Sequence, residues 1–437
     1  MTAVEHAPAG GRATWSTDAE QRRPRVLVVT QYFWPETFRI NEVVLSLRDA
    51  GADVTVLTGK PNYPDGKVFD GFRAGGTARD SFQGIPVFRV PMMPRGGGSG
   101  VRLALNYLSF AISASVLGPW LLRGRLVDVI LVYGISPILQ GIAAIAIKLF
   151  KRAPVVLWVQ DLWPQSLEAT GFVRDRRVLK LVEWVVRGIY RHSDMLLVQS
   201  QAFVEPVAAL SRRDKIRYHP NPGELALTRD RAGPDLAPGI LQEDRFNVVF
   251  AGNVGTAQGI DTIVEAAAQL VGHPTIRLVI VGKGSRWEWV HREIERRGLG
   301  NVDLPGRFPP EAMPAILSKA SALLVTLSRS DIFAMTIPSK VQAYLAAGRP
   351  IVAALDGEGA RVVVDATAGV AVPSGDPAAL AKAILDMASL PTDVLEEMGR
   401  RGRSYYDTHF EPELLTRRML TLFEQAIGTH IGAGAGR

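Results

Sequence analysis

Short, wholly apolar runs alternate with helix-length segments along almost the entire chain. "RVLVVT", "ADVTVLTG", "IPVFRV", "VDVILVYG", "PVVLWVQD" and "DMLLVQS" follow one another in the first half. Helical segments lie between them, one from about Asn41 to Ala50, others in "ILQGIAAIAIKLF" and "RRVLKLVEWVVRGIYRHS". A strand that is apolar on both faces must be covered on both faces, and this rhythm supplies the cover as crossover helices over a parallel sheet. The rhythm breaks at Tyr218–Arg245, which is rich in Pro, Gly and charge and has no sustained period. It then resumes with "FNVVFAGNVG", "IRLVIVGKG", "NVDLPG", "SALLVTLS", "PIVAAL" and "GVAVPSG". The sequence therefore predicts an α/β protein of two doubly wound domains, residues 25–222 and 246–408, with the linker at 223–245. Ligands of such sheets bind outside the C-terminal strand ends, so the expected site is a cleft between the domains. Residues 409–430 are expected to form a helix that returns to the first domain. Residues 1–24, which lack the apolar stretch of a signal peptide, read as a disordered leader, and 431–437 as a flexible tail.

Composition narrows the chemistry. The absence of cysteine excludes disulfides, thiolate nucleophiles and Cys-ligated metal. The seven histidines form no H-x-x-x-H or H-E-x-x-H pattern, so no metal is expected. The net charge of +7 is unevenly held: residues 1–215 carry 27 Lys/Arg against 18 Asp/Glu, the remainder 23 against 25. A basic first half suits an anionic surface or ligand, or is simply a solvated face. Its cations are spread over strands and loops rather than gathered in one stripe, which speaks against nucleic acid.

Leu103–Leu122, "LALNYLSFAISASVLGPWLL", runs 20 residues without a charge between Arg102 and the pair Arg123 and Arg125. That length permits a membrane span. Asn106, three serines and Pro119 dilute it, and it lies inside an α/β domain. Three readings stand: a buried or partly buried domain helix, a helix in a membrane interface with its arginines on lipid phosphates, and a span.

The first turn, in "VLVVTQYFWPE" (Val26–Glu36), has no glycine where a dinucleotide-binding loop would need it. Tyr32, Phe33, Trp34 and Pro35 stand there instead. The second domain has what the first lacks, with Gly252, Gly255 and Gly259 in "VVFAGNVGTAQGIDTIVEAA". Glycines between a strand and a helix let backbone N–H groups approach a phosphate, although they also serve plain tight turns. "VIVGKGSRW" offers a second such turn with Lys283 and Arg286, suited to a diphosphate or to ordinary surface positions. Asp161 ends the buried run "VVLWVQD" on the cleft side. A carboxylate there can accept a hydroxyl proton, hold a sugar, or cap the next helix. Trp34, Trp158 and Trp163 lie near strand ends, where core packing and sugar stacking are both open.

"YLAAGRPIVAA", "AGVAVPSGDPAALAKAI" and "RGRSYYDTHFEPELLTRRMLTLFEQ" resemble the C-terminal half of glycosyltransferase family 4 enzymes. "QYFWPETFRINE", "LTGKPNYPDGKVFDGF" and "WVQDLWPQSLEATG" are similar to the bacterial surface-polysaccharide branch, which includes fucosamine and colanic-acid glycosyltransferases. The resemblance runs from about Arg25 to Gln425 and is carried by the combination. It implies the GT-B fold, two Rossmann-like domains with an interdomain cleft, and retaining transfer with neither metal nor cofactor. The donor implied is a nucleotide-sugar, most plausibly a UDP-sugar such as a 2-acetamido deoxyhexose. The acceptor implied is a polyprenyl-diphosphate-linked saccharide at the cytoplasmic face of the cell membrane, in exopolysaccharide, O-antigen or capsule assembly. The basic first half and the Leu103–Leu122 helix would then hold the enzyme peripherally on an anionic membrane surface.

By the same resemblance the donor-side residues are Gly252, Asn253, Gly255, Gln258, Lys283, Arg329, Ser339 and Lys340. The acceptor-side residues are Gln31, Tyr32, Trp34, Glu36, Arg39 and Tyr63. Asp161 corresponds to the His or Asp that members carry after this strand, and is the catalytic candidate. One departure stands out. Members carry Glu-x7-Glu before the Gly-x-Pro turn, and here those positions are Met335 and Ala343, or Asp331 and Ser339 in the other alignment. The Arg and Lys that often follow the second domain's first strand are replaced by Asn253 and Gln258. Diphosphate charge then falls to Lys283, Arg329 or Lys340 with backbone N–H groups. The missing Glu pair motivates one alternative, a non-catalytic scaffold of a polysaccharide assembly complex. A UDP-sugar 2-epimerase on the same architecture is another, for which Asp161 alone is a thin supply of acid and base.

Overall fold

The computed structural model of the chain describes residues 23–97, 99–169, 173, 175–223 and 239–435. The leader up to residue 22 and most of the linker lie outside the described residues. Strands β1 (Arg25–Val29), β2 (Asp53–Thr58), β3 (Ala78–Phe82), β4 (Ile85–Arg89), β5 (Val129–Gly134), β6 (Val155–Val159), β7 (Met195–Val198) and β8 (Ile216–Tyr218) build the first sheet. Their order is β3-β4-β2-β1-β5-β6-β7-β8. All neighbours are parallel except β3 and β4, which form an antiparallel edge hairpin. Every residue of β5 and β6 is buried, as their unbroken apolar runs require. β3, "ARDSF", escapes such a reading because an edge strand has one neighbour and needs no apolar run.

The second sheet holds β9 (Phe246–Ala251), β10 (Ile276–Val281), β11 (Val302–Gly306), β12 (Ala322–Thr326), β13 (Ile351–Ala354) and β14 (Gly369–Val372). It is parallel throughout, in the order β11-β10-β9-β12-β13-β14. The strand order reverses between β1 and β5 in the first sheet and between β9 and β12 in the second. Crevices open outside the C-terminal ends of strands at such points.

Helices Gly100–Leu121, Gln140–Lys151 and Arg176–His192 cover one face of the first sheet. Ile40–Asp49 covers the other, joined by the final helix Pro412–Ala435, whose Met419, Leu422, Phe423 and Ala426 complete that core. The final helix runs on to Ala435, past the start of the expected tail at 431. A helix already nucleated gains one bond for each residue it fixes, so a Gly- and Ala-rich end can continue it.

Gly100–Leu121 begins at Ser99, whose Oγ accepts the Arg102 N–H at 3.2 Å. One face is buried through Asn106, Phe110, Ala114, Gly118 and Leu121. The opposite face is exposed, and only 22% of its most apolar window is buried. Of the domain-helix reading the partly buried form fits: the sheet can cover only one side of a helix in its outer layer. By length and composition alone the helix could cross a membrane.

The domains touch through specific groups. Gln342 Nε2 donates to the Asn221 carbonyl at 2.7 Å, Ser200 Oγ to the Met335 carbonyl at 2.5 Å and the Gln201 N–H to Glu358 Oε2 at 3.1 Å. The Met335 side chain also packs on the first domain's core.

Candidate active site

The donor side is built on two glycines. β9 and β10 end on Gly252 and Gly282, whose φ values of 135° and 140° belong to a region that side-chain-bearing residues rarely enter. A Cβ on Gly282 would collide with the Gly252 carbonyl, and one on Gly252 would lie 2.6 Å from Lys340 Cε. Chain and side chain can converge here only because both positions are bare. Lys340 stands in the first turn of helix Ser339–Ala347, which follows Pro338 and stops at Gly348 with φ 68°. That helix is tied to the end of β9 by the Ala251 N–H donating to Tyr344 Oη at 3.0 Å.

A cleft of about 660 Å³ results, lined by Gly252, Asn253, Gln258, Lys283, Ser339 and Lys340. Six of the expected donor-side residues thus meet in one place. Arg307, Phe308 and Ala343 join them, and of these Arg307 was not anticipated. It follows β11 directly, so the signal that could have found it is position: in a parallel sheet every residue just past a C-terminal strand end is a site candidate.

Two expected residues stand elsewhere. Gly255 lies beside the cleft, where a Cβ would come 2.7 Å from Asn253 Nδ2 and 2.8 Å from Gln258 Oε1. It makes room for the Asn253–Gln258 hydrogen bond of 3.0 Å. Arg329 is exposed, with its Nε 3.7 Å from the Asp356 carboxylate and outside the cleft lining. The loop after β12 turns toward β13 and carries it away. Lys340 is the more telling cation. Its Nζ lies 3.5 Å from the Phe250 ring centroid and has no hydrogen-bond partner among the described residues. Burial lowers its pKa to about 7.

Asp161 sits two residues past β6, half-buried. Its Oδ2 accepts both the Ser136 N–H and the Ser136 hydroxyl at 2.8 Å, and Trp163 Nε1 donates to that hydroxyl oxygen at 3.0 Å. The carboxylate is thus locked to the loop after β5, not spent on capping helix Gln165–Ala169. That helix meets the short helix Asp331–Ala334 of the second domain, which brings the Asp161 loop to the domain boundary.

The aromatic first loop is a solid block. Glu36 is 3% exposed and accepts N–H groups from Phe33, Asn62 and Tyr63 at 3.2, 2.7 and 2.7 Å. Burial raises its pKa against the opposing pull of those donors. Gln31 donates from its N–H to Gln140 Oε1 at 2.8 Å and from Nε2 to Asn106 Oδ1 at 2.7 Å. The Tyr32 ring stacks on Phe38 at 5.1 Å and its hydroxyl accepts from Arg95 at 3.2 Å. These three expected acceptor contacts therefore lie inside the loop, because its backbone N–H groups demand buried acceptors. Arg39 is occupied at Pro222, the Trp34 ring lies 5.6 Å from Phe82 of the edge hairpin, and Tyr63 is exposed. Trp158 is fully buried and donates to the His219 carbonyl at 3.0 Å, a core role.

Comparison with known proteins decides what this cleft belongs to. Residues 37–222 match the family described as glycosyl transferase 4-like domain, and residues 245–389 match glycosyl transferases group 1. The chain belongs to the family 4 glycosyltransferases. Among relatives of this glycosyltransferase is Escherichia coli K12 WcaI, named as a colanic acid biosynthesis glycosyl transferase. It is 25% identical over 74% of this chain and 81% of its own length. Pseudomonas aeruginosa WbjE, named as a glycosyltransferase, is 28% identical over 55% of this chain and 64% of its own. Anabaena HepE in complex with UDP superposes with a TM-score of 0.66 at 14% identity, over 92% of this chain and 100% of that one. Sucrose-phosphate synthase from Thermosynechococcus elongatus gives 0.67 at 18% identity, over 93% and 100%. The fold is GT-B.

In this glycosyltransferase the missing Glu pair has a structural counterpart. Position 335 carries an apolar side chain that packs across to the first domain, and position 343 leaves the cleft wall bare. Lys340, Lys283 and Arg307 are the cations that line the cleft. A pH signature follows. Between about pH 7 and 10 the unfolded chain holds a proton that buried Lys340 has lost, so its contribution makes the free enzyme more stable as pH rises. A diphosphate bound beside Lys340 would raise its pKa again, so binding of a nucleoside diphosphate near pH 8 should take up a proton. Calorimetry in two buffers of different ionisation enthalpy is expected to show that uptake, and to show none in Lys340→Met. Equal uptake by both proteins would remove Lys340 from the phosphate site.

Proposed function

We propose that this enzyme transfers a sugar, with retention, from a UDP-sugar to a polyprenyl-diphosphate-linked saccharide during bacterial surface-polysaccharide assembly. The observation that carries the reading is the cleft of the second domain, with bare glycine strand ends and a buried lysine that has no hydrogen-bond partner among the described residues, together with the fixed Asp161 carboxylate near the domain boundary. Lys340, Lys283, Arg307 and backbone N–H groups would neutralise the donor diphosphate without a metal. Asp161 would orient the acceptor hydroxyl or take its proton; in retaining transfer the leaving phosphate can itself be the base, and Asp161 then positions. The name of WcaI supports the polysaccharide setting, and the UDP bound in HepE supports the donor class. A 2-acetamido deoxyhexose is the sugar this reading favours. Gly100–Leu121 and its flanking arginines would keep the enzyme at the cytoplasmic membrane face, where lipid-linked acceptors reside.

Thermal shift with UDP and other nucleotides tests the donor site. Saturation at 100 times the dissociation constant should add about 2.7 kcal/mol. A screen of UDP-sugars against membrane extracts, with product mass and anomeric configuration read out, tests the rest. The bare Ala343 position favours one second reading, a non-catalytic scaffold; stabilisation by no nucleotide would establish it over the enzyme.

A further inference from the structure

The three helices over one face of the first sheet bury their inner faces in a single core. Their outer faces carry large exposed apolar side chains among the cations, where a solvated helix layer should be polar. Gly100–Leu121 exposes Leu105, Leu108, Ile112, Val116 and Trp120 in one row. Gln140–Lys151 exposes Leu149 (75%) and Phe150 (70%), and Arg176–His192 exposes Leu181 (60%) and Trp184 (71%). The first helix packs on the second and the second on the third, so the rows share one layer. Scattered exposed apolar residues are ordinary, whereas a contiguous patch marks an interaction surface.

Charge identifies the occupant. Arg102 lies on the first helix, with Arg123, Arg125 and Arg152 just past the ends of the first two, and neither helix carries an acidic residue; Lys148 and Lys151 are spent within the protein, on Asp194 at 2.6 Å and on the Leu122 and Arg125 carbonyls. The third holds Arg176, Arg177, Lys180, Arg187 and Arg191 against one carboxylate, Glu183, which pairs with Arg187 at 2.9 Å. Arg123 also lies over the Trp120 ring at 4.7 Å, an aromatic–cation pair of the kind found at membrane interfaces. A second copy of the chain would set these cations against themselves; an anionic leaflet would complement them.

We propose that the outer face of all three helices is the surface on which the protein lies on an anionic bilayer, with acidic phospholipid headgroups as its partner. The proposal rests on the lipid-linked acceptor reading and gives it an orientation. On its inner face Gly100–Leu121 holds Gln31 through Asn106, which also donates to the Met93 carbonyl at 2.5 Å. One helix thus faces the membrane on one side and braces the aromatic first loop on the other.

Co-sedimentation with vesicles of phosphatidylcholine, with and without phosphatidylglycerol, tests this. The wild-type chain should bind the anionic vesicles and release with added salt. The double variant Phe150→Ser/Trp184→Ser, on the two helices whose sequence gives no membrane signal, should bind roughly tenfold or more weakly. Its melting temperature and its stabilisation by UDP should match wild type. Binding to no vesicle overturns the proposal, as does equal binding by the variant. Self-association abolished by the variant, without vesicle binding, overturns it in favour of a second copy. Vesicle binding without UDP stabilisation would sink the donor reading and leave the surface standing.

Discussion

Asp161→Asn should lower turnover by roughly 10²–10⁴-fold, the range in which positioned proton transfer contributes. The argument is geometric. The carboxylate is held through Oδ2 by the Ser136 N–H and hydroxyl, so its orientation is set by the β5 loop before any ligand arrives. Oδ1 takes no part in those two bonds. Asparagine has the same shape and can still accept from Ser136, so fold and UDP binding should survive. The substitution removes a negative charge and the ability to accept a proton, and little else. Turnover should be measured with the donor and acceptor found by the screen, beside UDP stabilisation. Full activity would dismiss Asp161 from the chemistry. Lost activity together with lost UDP stabilisation would give it a structural role instead. If Asp161 positions rather than accepts the proton, the pH profile of the residual activity should keep its shape.

Gly282→Ala should destabilise the second domain by about 3 kcal/mol or more. At φ 140° an alanine is already strained, and its Cβ would meet the Gly252 carbonyl. That carbonyl cannot yield as a side-chain tip would, because Gly252 donates to the Val281 carbonyl at 2.8 Å and continues β9. The melting temperature should fall by roughly 6–12 °C for a domain of this size, and UDP binding should weaken with it. Gly298→Ala is the control: its φ of 64° is unfavourable, but a Cβ there meets open space. That variant should lose only about 1 kcal/mol. Equal losses at the two positions would show that crowding between the strand ends contributes nothing.

Much of the cleft lining in the second domain was legible because it is local. Gly252, Asn253 and Gln258 lie on one turn after one strand, and Ser339 and Lys340 on one helix start, so short-range pattern could place them. The acceptor side was less legible. Glu36 looks like a surface carboxylate until the backbone N–H groups of Asn62 and Tyr63 fold onto it. Nothing near Glu36 in sequence announces those donors. Arg307 and Arg329 make the same point in opposite directions, one brought into the cleft by β11 and the other carried to Asp356.

The chain by itself determined two α/β domains and the family to which they belong. Period and run length report burial along one element, and those features depend on little more. The tertiary structure alone decided which polar groups are spent on each other and which remain for ligands, since that depends on strand order and contacts between distant segments. It also decided what the apolar segment Leu103–Leu122 does with each of its sides. An apolar residue has the same signature in sequence whether a sheet covers it or nothing in the protein does. Only the packed layer of three helices separates the face buried in the core from the face left bare.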